Sequence, residues 1–114
     1  MGLPISEATL LRYLEVGEYK MRPQELAFWS RIRISPVKWQ LSPWADLDGG
    51  FWVVSVVGQQ CIWYNAIEEG FNVTPFTTFG VIGEYTCNQA ELHECIRTYC
   101  QEFLREMQEA LQGA

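Results

Sequence analysis

His93 is the chain's one histidine, and Cys87, Cys95 and Cys100 stand near it in sequence. A cysteine paired with a histidine is the arrangement for nucleophilic catalysis, because a thiolate needs an adjacent base or positive charge. Helical geometry works against the pair His93 and Cys100. They fall within about twenty degrees of one line but lie about 10 Å apart along the axis, too far for a hydrogen bond. Cys87 is the sequence-local thiol left to approach His93, and Cys61 would have to reach it through tertiary folding. The surrounding glutamates raise a thiol's pKa instead of lowering it. Buried core thiols are therefore the expectation, and no catalytic residue is assigned.

The same side chains have the ligand types of a zinc site but not its spacing. The four cysteines are separated by 26, 8 and 5 positions, which fits no paired Cys-x-x-Cys pattern. Cys95 and Cys100 would point about 140 degrees apart on a helix. Asp46-Leu47-Asp48-Gly49-Gly50 lacks the alternating ligand run and distal glutamate of a calcium loop. Asn72-Val73-Thr74 is a glycosylation sequon in form, followed by Pro75. The glycines match neither phosphate-binding fingerprint. The reading is of a protein with no metal and no cofactor.

The elements that must position these residues follow from periodicity and capping. Ser6 caps a first helix, with Ile5 and Leu10 at hydrophobic-staple spacing and Gly17 as its expected end. Pro23 opens a second helix that Ser35-Pro36 should stop. Strands are expected over Trp39–Trp44, Phe51–Val57, Cys61–Ala66 and, with a bulge or bend, Phe76–Tyr85. Asp48-Gly49-Gly50 and Gly58-Gln59-Gln60 supply the turns between them. Phe51–Val57 is apolar on both alternations, so it should be central and covered on each face. Asn88 is read as the cap of a last helix whose Leu92, Ile96, Tyr99, Phe103, Met107 and Ala110 form one apolar stripe. The fold class is α+β: two short N-terminal helices, a four-stranded antiparallel meander, and a long C-terminal amphipathic helix packed on the sheet.

Charge placement is the strongest functional signal. The net charge is -6 in 114 residues. Residues 1–57 balance, whereas residues 58–114 hold Arg97 and Arg105 against Glu68, Glu69, Glu84, Glu91, Glu94, Glu102, Glu106 and Glu109. Such a half repels a nucleic-acid backbone, so no nucleic acid is expected as partner. In a meander the loops after the first and third strands share one end. That brings Asp46, Asp48, Glu68 and Glu69 to one rim beside Trp44, Trp52 and Tyr64. Carboxylates around aromatic rings form a seat for a cationic or arginine-rich partner.

The length and the 48% hydrophobic, 14% aromatic composition fit a single domain spanning residues 1–114. Met1–Ser6 lack the pattern of a secretory leader, and Gly49–Ile67, the longest charge-free run, is broken by Gly58-Gln59-Gln60. A cytoplasmic protein with no membrane segment is expected. Met1-Gly2-Leu3-Pro4-Ile5-Ser6 meets the bare myristoylation pattern, with Pro4 inside it. The leading functional expectation is a non-catalytic protein-interaction domain whose acidic half docks on a basic partner, as an immunity or inhibitor protein for a basic toxin would. The alternative is a small-ligand module or modest hydrolase with a pocket between sheet and helices. Self-association as a homodimer through exposed aromatics is the third reading.

Overall fold

The computed structural model describes residues 4–44 and 49–113. Three helices, α1 (Glu7–Tyr19), α2 (Pro23–Ile32) and α3 (Leu92–Gln112), accompany four strands, β1 (Arg33–Trp39), β2 (Phe51–Val57), β3 (Gln60–Asn65) and β4 (Gly70–Pro75). The strands form one antiparallel sheet in the order β1-β2-β3-β4, with α3 against it, so the α+β meander is the architecture of the chain. Among the described residues no helix is long and apolar enough to cross a membrane.

Both faces of the sheet are buried, as the alternation in β2 requires. On one face Val54, Ile62, Tyr64 and Phe71 pack against Leu10 and Leu14 of α1, Trp29 of α2, and Leu92 and Ile96 of α3. On the other face Trp39, Phe51, Val53, Cys61 and Trp63 meet Leu41, Phe76 and Ile82. No helix contributes to that second cluster. Its cover is the irregular segment 76–90, which leaves the end of β4, crosses to β1 and returns to the β4 edge.

A loop pressed on an apolar face must find partners for its backbone. Gln40 does this at the β1 side, donating to the Gly80 carbonyl at 3.0 Å and accepting from Ile82 at 2.9 Å. At the β4 side the fully buried Asn72 does most of it. Its Oδ1 accepts from the Thr86 hydroxyl at 2.6 Å and from the Asn88 N–H at 2.9 Å, while its Nδ2 donates to the Asn88 carbonyl at 3.0 Å. Asn65, equally buried, donates to the Thr86 carbonyl at 2.8 Å. Aromatic edges complete the cover: Phe76 and Phe79 sit 5.0 and 4.8 Å from the Trp39 ring.

This arrangement corrects five boundaries read from the sequence. The first strand is Arg33–Trp39, not Trp39–Trp44, and Ser35-Pro36 lies within it instead of stopping α2 further on. Proline has no N–H to donate, but β1 is an edge strand with a register shift between Arg33 and Val37, where that is tolerated. The fourth strand is Gly70–Pro75, not Phe76–Tyr85. Its inward Asn72 and Thr74 look polar in sequence, yet both are buried because each has hydrogen-bond partners. The last helix begins at Leu92, capped where Glu94 accepts the Glu91 N–H at 2.9 Å; Asn88 is tied to Asn72 and cannot serve as its cap. Gly17 does not end α1. It is buried inside the helix, where a Cβ would stand 2.9 Å from the Cβ of Leu92, so its missing side chain lets α1 and α3 touch.

One ion pair ties α2 to α3. Glu25, buried at the first turn of α2, accepts from the Arg22 N–H at 2.9 Å and from Arg97 Nε at 2.8 Å. The Arg97 guanidinium holds this carboxyl below its ordinary value of 4.5, against the opposing effect of burial. A depressed carboxylate stabilises the fold above its unfolded pKa and loses that contribution as pH falls through the folded one.

Two outcomes follow for stability. Asn72→Ala strands the Thr86 hydroxyl and the Asn88 N–H and should lower the unfolding free energy by about 3 kcal/mol in urea titrations. Arg97→Met leaves Glu25 buried without its cation. Its urea midpoint should fall furthest below wild type at neutral pH, and the deficit should narrow in acid as the Glu25 carboxyl, no longer held down by Arg97, protonates.

Candidate functional site

The antiparallel order places the β1–β2 and β3–β4 connections at one end of the sheet. Trp44 and Gly50 from the first, and Ala66 and Ile67 from the second, line a single small cavity of about 50 Å³ together with Trp52 and Tyr64. The three aromatics expected at the rim therefore do converge. Asp46 and Asp48 lie outside the described residues.

The cation position in this cavity is occupied from within the chain. Lys38 places its Nζ 5.1 Å from the Trp52 ring centroid, and the Trp52 indole N–H donates to the Ile5 carbonyl at 3.0 Å. Trp44 is half exposed and stacks on Tyr85 at 4.6 Å with an 18° interplanar angle. Trp44 and Trp52 thus serve the packing of the N-terminal segment and of the 76–90 cover.

Tyr64 opens on the other side into a larger cleft of about 420 Å³ between α1, the β3–β4 turn and the start of α3. Asn65 shapes the turn: its Oδ1 accepts from the N–H groups of Ile67 and Glu68 at 2.9 and 3.1 Å. Glu69 then adopts a left-handed φ of 58°, which turns the chain into Gly70 and leaves the Glu69 residue exposed at the cleft rim. Gly70 has to be glycine, since a Cβ there would lie 2.3 Å from the Cα of Gln89. Glu68, one residue earlier, is half-buried and accepts from Gln89 Nε2 at 3.4 Å.

The cleft walls are aromatic. Tyr13 lies 5.5 Å from Tyr64, and Tyr64 lies 5.2 Å from Phe71. Burial pushes the Tyr64 phenol up to about 12, with Tyr13 and the Glu69 carboxylate adding to the shift, so it remains a neutral donor. Of the two carboxylates at the rim, Glu91 is paired with Lys20 at 2.6 Å, whereas Glu69 makes no ion pair among the described residues. Beyond Ala90 a second hollow of about 340 Å³ along the β4 edge is lined by Glu94, Glu102 and Tyr99. Aromatic faces beside carboxylates receive an alkyl ammonium or guanidinium group. The lining of the larger cleft contains no histidine, cysteine, serine or threonine.

The residues that could do nucleophilic chemistry stand elsewhere and apart. Cys61 lies in the second core cluster, 3.8 Å from the Thr74 hydroxyl, and burial raises its thiol. Cys95 is pushed up to about 12 by burial and by Glu94, and Cys100 is raised by burial and then by Glu25. Cys87 is exposed, contrary to the expectation of buried thiols throughout. It falls in the surface stretch between Thr86 and Asn88, whose main-chain groups are held inward while its own side chain is not. His93 keeps its Nδ1 buried, with no hydrogen-bond partner among the described residues. Among the described residues no group of three or more His, Cys, Asp or Glu side chains is arranged to hold a metal ion.

Sequence reasoning reached Tyr64 and Glu69 but missed Tyr13, Val16 and Gln89, which complete the cleft. A signal for the first two was present. In α1 the apolar positions Leu10, Leu11, Tyr13, Leu14 and Val16 are too many for one buried stripe, and only Leu10 and Leu14 of these are buried. Comparison of the chain with protein-family models, with curated proteins and with solved structures finds no match.

The four thiols should separate sharply in reactivity. Under native conditions an aromatic disulfide reagent should modify Cys87 alone, and the other three should react only after denaturant is added. Mass mapping of the modified peptide checks the assignment.

Proposed function

We propose that this chain is a non-catalytic interaction domain that docks on a basic protein, seating an arginine or lysine side chain of that partner in the Tyr13–Tyr64 cleft. The observation that carries this reading is the cleft itself: aromatic walls, a Glu69 carboxylate at the rim that makes no ion pair among the described residues, and a lining without histidine, cysteine, serine or threonine. Glu94 and Glu102 extend the negative surface along the β4 edge, where further basic groups of the partner would lie. We assign Glu68, Asp46 and Asp48 to the same proposed surface. Attraction between these carboxylates and a basic face would speed association and select for partner charge. An inhibitor that neutralises a basic toxin, of the immunity-protein kind, is the role such a surface suits.

The cleft volume also falls within the range of small-molecule sites, which favours a ligand-binding module as the second reading. Immobilised wild-type protein, Glu69→Lys and Tyr13→Ala, each incubated with lysate of the native host at low and high salt, separate the two. Docking predicts one basic protein retained at low salt, released at high salt, and lost by about tenfold or more with Glu69→Lys. Retention of the same protein by Glu69→Lys at wild-type level would sink the proposal. Retention of no protein, with small-molecule binding abolished by Tyr13→Ala, would replace it with the second reading.

A further inference from the structure

Strand β4 forms one edge of the sheet, and among the described residues main-chain bonds close that edge at its two ends. The Phe71 N–H donates to the Ala90 carbonyl at 2.8 Å, and the Pro75 carbonyl accepts from the Gly83 N–H at 3.1 Å. Alternate residues of a strand turn their N–H and C=O groups to the same side. Phe71 and Pro75 face away from β3, so Val73, midway between them, does too. The Phe76 N–H, which donates to the Gln59 carbonyl at 2.9 Å, fixes the same alternation from the far end of the β3–β4 pairing. Val73 therefore holds out a donor and an acceptor that have no partner among the described residues. The neighbouring stretch 86–88 does not take them, because Asn65 and Asn72 draw its main chain onto the second face of the sheet.

The space at this gap is the hollow of about 340 Å³, with Val73, Cys95 and Tyr99 on its walls and the exposed Glu94 and Glu102 at its border. Two independent features say what fits it. A half-buried, unpaired main-chain donor and acceptor call for another main chain. Apolar walls bordered by carboxylates call for a side chain with an apolar stem and a cationic end. Val73 turns its own side chain to the helix-covered face, and facing residues of paired strands point to the same side. The residue opposite Val73 thus sends its side chain into the hollow. We infer that Val73 receives an extended segment of a basic protein in antiparallel β-pairing, with one arginine of that segment lying along Val73 and Tyr99 toward Glu94 and Glu102. This rests on the docking reading above and names the element of the partner that docks.

The gap also sets the shape of that element. From Phe71 to Pro75 it spans about 13 Å with both ends closed, which admits a few residues of a loop or terminus but no long strand. Antiparallel pairing suits so short a window, because a single incoming residue exchanges both hydrogen bonds with Val73. A second copy of this chain is a poor occupant. Its own β4 edge is closed at the same two places, and edge-to-edge contact would set carboxylates against carboxylates.

Amide hydrogen exchange, read by NMR on the isotope-labelled full chain, tests the pairing. In the free protein the Val73 N–H should exchange far faster than those of Asn72 and Thr74, which face β3. The blocked pentapeptide Gly-Thr-Arg-Thr-Gly, at about ten times its Kd, should slow Val73 by about tenfold. N-methylation of the peptide's arginine nitrogen removes one of the two bonds and should weaken binding by about fivefold. Glu102→Lys should weaken it by a similar factor, whereas Glu15→Lys, an equal charge change on α1, should leave it as it was. A Val73 N–H as slow as its neighbours in the free protein, no slowing by the peptide, or an N-methylated peptide that binds equally well would each overturn the proposal. Slowing of Val73 that grows with the concentration of the protein alone would overturn it in favour of a second copy. If the peptide fails while a basic protein is still retained from lysate, the edge pairing falls and the docking reading stands. If the peptide pairs at Val73 and lysate yields no basic protein, the fault lies in the docking reading and not in the edge.

Discussion

A sheet that is apolar on both faces has to be covered twice, and this constraint organises the molecule. The three helices attend to one face only. The other face is closed by segment 76–90, which has no regular structure to satisfy its own backbone. Asn72 and Asn65 supply the missing partners from inside the sheet, and Gln40 supplies them from its edge. Burying two asparagines is costly unless each finds its hydrogen bonds, and here those bonds are to the very segment that buries them. Cover and clamp therefore form together, and so does the turn through Glu68 and Glu69 that Asn65 shapes.

The candidate cleft is a by-product of the same geometry. The 76–90 segment has to return from the second face to the first in order to begin α3. It passes the β4 edge at Ala90, whose carbonyl accepts from the Phe71 N–H at 2.8 Å. That crossing shields part of an otherwise open strand edge and leaves a hollow on either side, each with glutamate at its border. Part of the acidic excess of the second half of the chain is thus brought to one edge of the sheet. Among the described residues three ion pairs, Lys20–Glu91, Arg33–Glu18 and Arg97–Glu25, join the helices to one another or to β1 and use charges that would otherwise be spread over the surface.

Particular residues show how much was legible in the chain. Ser6 accepts from the Thr9 N–H, and Gly49 and Gly50 take the positive φ values of 74° and 124° that their turn requires, both as local chemistry predicts. β2 lies where its alternation puts it. The fourth strand was misplaced because Phe76, Phe79 and Ile82 carry a strand-like apolar content that serves an irregular cover, while the true strand hides its core role behind Asn72 and Thr74. Of the site, Tyr64 and Glu69 were within reach of loop topology. Tyr13 was signalled only by the surplus of apolar positions in α1, and its place in the cleft was not, since no sequence rule says which turn of α1 passes over the end of β3.

By itself the sequence determined the element types, their order, the antiparallel meander and the acidic bias of the second half. Those properties depend on alternation, capping and charge within a few residues of one another. Only the tertiary structure decided that Lys38 fills the aromatic seat at Trp52, that Glu69 stands over the Tyr13–Tyr64 cleft, and that α3 outruns the body it packs on. Each of these depends on where distant segments meet. That is set by the packing of both sheet faces and by the partners found for buried backbone groups, and neither is encoded in local spacing.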